Sequence, residues 1–145
     1  MDENIFYVQE LDCSAVILTY TQYEFEKIYY NLQKSLFYSD CKFFSFTKTN
    51  DEISLFIDYN IYKDNLLDTK INTDIEIYKV LQIYETYTGV DHIGIVKILS
   101  SLFADKNIPI LYVNSVNNNY ILIKESYLDI TKEILQKENY IFYDK

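Results

Sequence analysis

The sequence predicts an α+β fold in two units, and three observations carry that prediction. Segments alternating with period two, rich in Ile, Val, Phe and Tyr, recur along all 145 residues. Between them lie stretches whose apolar residues return every three or four positions, the mark of a helix with one buried face. The order of these segments in the second half is β-α-β-β-α-β, and the first half begins with the same strand, helix and hairpin.

Taken in order, "IFYVQEL" (5–11) and "SAVILTY" (14–20) read as extended segments. A helix follows, because Thr21 and Glu24 have capping-box spacing and Phe25, Ile28, Leu32 and Leu36 recur at helical intervals. "CKFFSFTK" (41–48) and "EISLFID" (52–58) flank the turn "TND" and predict a hairpin. Phe44, Phe46, Ile53, Leu55 and Ile57 are its expected inward residues. Residues 59–74 are polar and weakly periodic, so they read as a connecting excursion, and the first unit lacks an evident second helix.

"IYKVLQIYET" (77–86) reads as the first strand of the second unit. Ile95, Ile98, Leu99, Leu102 and Phe103 then form the stripe of a helix. "IPILYVNS" (108–115) and "NYILIK" (119–124) form a second hairpin about Asn117 and Asn118, a residue type that tolerates positive φ. Pro109, the only proline, fits the end of the helix and the start of that hairpin. Ser126, with Asp129 three residues on, can open a last helix with Tyr127, Ile130 and Ile134 as its stripe. "NYIFYD" (139–144) closes the chain as a strand. The expected architecture is therefore two ferredoxin-like units in tandem, residues 1–75 abbreviated and 76–145 complete, with antiparallel sheets and helices on one face.

Composition narrows the function. A net charge of −9 is the wrong sign for a phosphate-backbone binder, so nucleic acid is not an expected partner. The acidic start "MDENIFYVQE" has no basic n-region, and no apolar run reaches the roughly 20 residues of a membrane span, which makes the cytoplasm the plainest location. Cys13 and Cys41 form no C-x-x-C pair, and no metal or cofactor is expected. No nucleophile–base pair stands at motif spacing, so no catalytic residue is assigned and the chain is not read as an enzyme.

Gly89 and Gly94, the only glycines, fall within six positions of each other in the turn before the second unit's first helix. Glycine accepts positive φ and allows close approach to the backbone, and a helix start offers free N–H groups to an anion. Two readings stand: the glycines turn the chain and nothing more, or they open a site for a ligand carboxylate. His92 lies in the same turn.

"CKFFSFTKTNDEISLFID" (41–58) and "GIVKILSSLFADKNIPILYVNSVNNNYILIKESYL" (94–128) resemble segments of tandem ACT-domain proteins, in particular the arginine sensors of the CASTOR type and short bacterial ACT pairs. The resemblance covers the chain from about residue 11 onward and corresponds to one ACT pair, about half of a full sensor. It implies a regulatory protein that holds an amino acid where two ACT units meet. On this chain the implied contacts are Gly89, His92, Gly94 and Ile95 from the turn, and Ser115, Val116 and Asn119 from the hairpin. The family's aromatic and acidic hairpin positions are Val116 and Asn119 here, and the acidic residue before the turn glycine corresponds to His92. An α-ammonium or guanidinium held in a dry pocket wants a carboxylate, and Asn119 can accept a hydrogen bond but supplies no charge. A half-length chain further implies a homodimer, or another ACT-domain or regulatory partner, to complete the site. The alternative is a protein-interaction module whose ACT site holds no ligand.

Overall fold

The computed structural model describes residues 5–38, 40–69, 74–85 and 94–143. They divide into two compact units, Met1–Leu11 with Lys79–Lys145 and Asp12–Tyr78, and each has its own core.

Strand β1 runs unbroken over Phe6–Tyr20. The two extended segments expected at 5–11 and 14–20 are thus one strand, since nothing at Asp12 or Cys13 forbids extended backbone. Its start supplies Val8 to one core, and its end supplies Val16, Leu18 and Tyr20 to the other.

In the unit Asp12–Tyr78, helix α1 (Gln22–Tyr38) opens on the predicted capping box. The Glu24 N–H donates to Thr21 Oγ1 at 3.2 Å and the Thr21 N–H donates to Glu24 Oε2 at 2.8 Å. Phe25 and Leu32 are buried in the core, with Ile28 and Leu36 packed against it. Strands β2 (Phe44–Lys48) and β3 (Ile53–Asp58) form the hairpin, and β3 pairs antiparallel with β1 from Ala15↔Asp58 to Tyr20↔Ile53. Ile53, Leu55 and Ile57 are buried as expected. Phe44 and Phe46 are not; they share the inward face opposite Ile57 and Leu55, yet stay 37% and 45% exposed because β2 is an edge strand.

The stretch expected to be a mere excursion contains helix α2 (Tyr59–Asn65) and a 3-10 turn (Leu67–Thr69). The buried Asp58 caps α2, its Oδ1 accepting from the Asn60 N–H at 2.9 Å. Ile61, Tyr62 and Leu66 enter the core, and the Tyr20 hydroxyl lies 2.8 Å from Thr69 Oγ1. Seven residues are too few for an apolar period to stand out, which is why the helix escaped the pattern.

The other unit follows the predicted order: β4 (Tyr78–Glu85), α3 (Ile95–Ala104), β5 (Ile110–Asn114), β6 (Asn119–Lys124), α4 (Leu128–Lys137) and β7 (Ile141–Phe142). Strand β6 lies between β4 and β5, and β1 borders β4 on its other side. Leu81, Ile83, Ile121 and Ile123 face Ile95, Leu99, Phe103, Ile134 and Leu135 across one core. Ile98 is exposed, so the buried line of α3 is i, i+4, i+8, with Leu102 at its margin. Helix α4 starts two residues later than Ser126 predicts, because Glu125–Tyr127 form a 3-10 turn and no side chain caps the helix at Tyr127. That rotates its stripe: Thr131, Ile134 and Leu135 are buried and Ile130 is exposed. The short β7 pairs in parallel with β1, Tyr7↔Ile141 and Val8↔Phe142.

The scarcity of glycine is solved by asparagine. Asn107 and Asn139 have φ of 55° and 64°, and each follows a helix. Around the first, the Ile108 N–H donates to Phe103 O at 3.0 Å and the Asn107 N–H to Ala104 O at 3.0 Å. Around the second, Tyr140 donates to Leu135 O at 3.0 Å and Asn139 to Gln136 O at 3.1 Å. Both are Schellman endings with the left-handed residue at C′, and Ile108 and Tyr140 pack into the core beside Phe103 and Leu135. Asn117 and Asn118, expected to tolerate positive φ, do not adopt it.

Candidate functional site

Strand β4 ends at Glu85 and the chain re-enters the described residues at Gly94, so Gly89 and His92 lie outside them. Gly94 is the N-cap of α3, with φ 96° and ψ −3°, and as a glycine it brings no side-chain cap of its own. A Cβ built on Gly94 would meet nothing within 4 Å among the described residues. The glycine is therefore favoured by its backbone angle and not by crowding from any of them. The first intrahelical bond runs from the Ile98 N–H to Gly94 O at 3.0 Å, which leaves the amides of the first turn without helical partners.

The two capped helix starts in the other unit are built differently. In α1 Thr21 Oγ1 accepts from the Glu24 N–H, and in α2 Asp58 Oδ1 accepts from the Asn60 N–H. At α3 the N-cap is a glycine, which itself brings no carboxylate or hydroxyl to the macrodipole's positive end. Ile95, the next predicted contact, turns its side chain into the core and is buried, so what it can offer a ligand is its N–H.

Ser115, Val116 and Asn119 are held together by the β5–β6 turn. Asn114 pairs with Asn119 in the hairpin register, and the Ser115 N–H donates to Asn118 O at 3.0 Å. Ser115 is exposed, Val116 is 82% exposed and Asn119 is half-buried. Gln82, buried in β4, donates from Nε2 to Asn118 Oδ1 at 2.8 Å. That bond ties the hairpin turn to the last half of β4, the strand from which the chain departs toward Gly94. Asn118 was expected only as a turn residue and Gln82 was not singled out; a polar residue between Leu81 and Ile83 was the available signal for it.

Tyr84, two residues further along β4, donates to Gln9 Oε1 at 3.2 Å. Burial, then its hydrogen bond with Tyr143, pushes its phenol well above the usual tyrosine range. It is a neutral phenol under ordinary conditions. The unit Asp12–Tyr78 holds a separate open hollow of about 270 Å³ lined by Gln22, Phe25, Glu26, Tyr29, Phe46, Lys48 and Ile53. None of the predicted contacts belongs to it. Among the described residues no three His, Cys, Asp or Glu side chains gather as metal ligands, and no helix is long and apolar enough to cross a membrane.

Residues 75–137 match the ACT domain family, the span of the second unit from its first strand to its last helix. ACT domains are regulatory modules that generally bind small molecules such as amino acids. Among solved structures, a protein of Agobacterium tumefaciens matches with a TM-score of 0.60 at 18% identity, over 96% of this chain and 92% of that one. Aspartokinase alpha and beta subunits match with a TM-score of 0.59 at 15% identity, over 90% of this chain and 95% of that one. The aspartate kinase of Clostridium acetobutylicum, described as an allosteric enzyme, matches with a TM-score of 0.57 at 12% identity, over 92% of this chain and 34% of that one. At these identities the likeness concerns the fold alone. No curated protein sequence is significantly similar to the chain.

Proposed function

We propose, starting from the ACT domain over residues 75–137, that the chain is a non-catalytic regulatory protein that binds a neutral amino acid. The ligand's carboxylate sits on the free amides at the start of α3, with Gly94 and Ile95 presenting the backbone. Gly89 and His92 precede it in the sequence, and Ser115, Val116 and Asn119 of the hairpin are the further contacts assigned to the ligand in this reading. One observation carries this reading: the N-cap of α3 is a glycine without a side chain, with open space beside it among the described residues.

Arginine, the ligand of the CASTOR-type sensors, fits these residues poorly. Val116 and Asn119 supply no carboxylate, and a cation held away from water needs one. Arginine brings two cations, its α-ammonium and its guanidinium, whereas a neutral amino acid brings only the first and so asks less of these residues. Binding then biases assembly or the capture of a partner, a coupling typically of about 1–3 kcal/mol. A second copy of the chain, or another ACT-domain protein, is the natural receiver. Val116, exposed at the hairpin tip, favours a second reading, in which the same surface contacts a protein and no ligand binds.

A thermal-shift screen against the twenty amino acids separates the two. A ligand at 100 times its Kd adds about 2.7 kcal/mol and raises Tm by several degrees. Gly94→Asp keeps a residue type that tolerates the left-handed region and sets a carboxylate where the ligand's would lie, so it abolishes the shift; Gly94→Asn controls for the backbone. Valine is unsuitable, because its branched side chain is strained at φ 96° whatever the space. A flat response from the wild-type protein, or equal responses from wild type and Gly94→Asp, contradicts the proposed site.

A further inference from the structure

The solvent side of α1 carries a pattern that folding does not use. Tyr23, Tyr30 and Phe37 are 69%, 67% and 76% exposed, and they recur every seven residues. Seven residues are almost two helical turns, so the three rings form one ridge about 21 Å long. It lies opposite Phe25, Ile28, Leu32 and Leu36, which face the core. Lys27 and Lys34 share the ridge, their Nζ atoms 4.0 Å and 4.7 Å from the ring centroids of Tyr23 and Tyr30. Glu26 flanks it one position earlier. Neither Lys34 nor Glu26 has an ion-pair partner among the described residues; Glu26 accepts only from Gln22 Nε2, at 3.1 Å.

We infer that this ridge is the contact between two copies of the chain, with the α1 helices antiparallel about a two-fold axis at Tyr30. Antiparallel pairing centred on that residue is self-complementary. Tyr30 meets the partner's Tyr30, and Tyr23 meets the partner's Phe37. Glu26 falls opposite the partner's Lys34, and symmetry repeats that ion pair on the other side of the axis. Lys27 falls opposite the partner's Gln33, so no like charges face each other. In a chain of net charge −9, two copies repel over much of their surface, whereas α1 balances Lys27 and Lys34 against Glu24 and Glu26 and adds exposed aromatic area.

The area suits the assignment. A Tyr or Phe offers roughly 150–250 Å² for burial, and about two thirds of each ring is still uncovered. Three rings and two lysine stems from each copy give roughly 1,000–1,200 Å² in total, the low end of a stable interface. An isologous two-fold contact of that size closes on itself and leaves no open end for polymerisation.

The test uses the full chain without ligand, so its outcome is independent of the amino-acid site. Sedimentation across a concentration series at low salt is expected to show a monomer–dimer equilibrium. Tyr30→Glu, which sets two carboxylates against each other on the axis, is expected to give monomer. Lys34→Glu and Glu26→Lys each weaken the dimer tenfold or more, and the double variant recovers it; circular dichroism melts confirm that all four remain folded. A wild-type protein that is monomeric at every concentration overturns the proposal and leaves the ridge to a different protein. A dimer indifferent to Tyr30→Glu overturns it too and moves the contact to another surface, such as the edge of β2.

Discussion

Gly94 and Thr131 represent two kinds of residue that local pattern treats alike, positions where the fold tolerates something unusual. At Gly94 a left-handed N-cap without a side chain begins α3, the start proposed above to hold a carboxylate. At Thr131 no use is visible. Its hydroxyl is wholly buried in α4 without a hydrogen-bond partner among the described residues. Burying an unmade hydrogen bond costs about 1–3 kcal/mol, so Thr131→Val, which keeps the shape, is expected to stabilise the protein by about 1 kcal/mol. Chemical denaturation of the two proteins checks it through an increased midpoint at unchanged slope. The glycine pair drew notice in the sequence because glycine is rare there, whereas the bond between Gln82 and Asn118 did not, since a hydrogen bond between residues 36 positions apart leaves no local trace.

Helix ends show what an element can and cannot announce. The capping box of α1 was legible because Thr21 and Glu24 are three residues apart and bond reciprocally. The Schellman endings at Asn107 and Asn139 were not, because asparagine is so common in this chain that the two left-handed ones did not stand out. Both positions make the same prediction. Replacing either asparagine by alanine forces a Cβ into the left-handed region without the local hydrogen bonding of Asn, at a cost of about 1 kcal/mol, whereas glycine is neutral or stabilising. Thermal melts of the four single variants check the ordering. Helix α2 was missed for a different reason: its cap, Asp58, is the last residue of a strand and was assigned to the hairpin. Phe44 and Phe46 were placed on the correct face, but a strand's position at the edge of its sheet is set by partners far away in sequence.

For the whole molecule, the β-α-β-β-α-β order of the second half was readable because each of its elements carries its own periodicity. The parallel pairing of β7 with β1 was not, since it joins the two ends of the chain. Two cores, each with helices packed on strands, give the molecule two compact units, and the ACT match falls on one of them. The claim on which the functional account depends is that the start of α3 grips the carboxylate of a neutral amino acid. Backbone amide NMR during titration with each amino acid tests it most directly. The account predicts that at least one neutral amino acid shifts the amides of Ile95, Val96 and Lys97 together with those of Ser115–Asn119, in a saturable manner that Gly94→Asp abolishes. Amides at the start of α3 that stay unmoved by all twenty would contradict it.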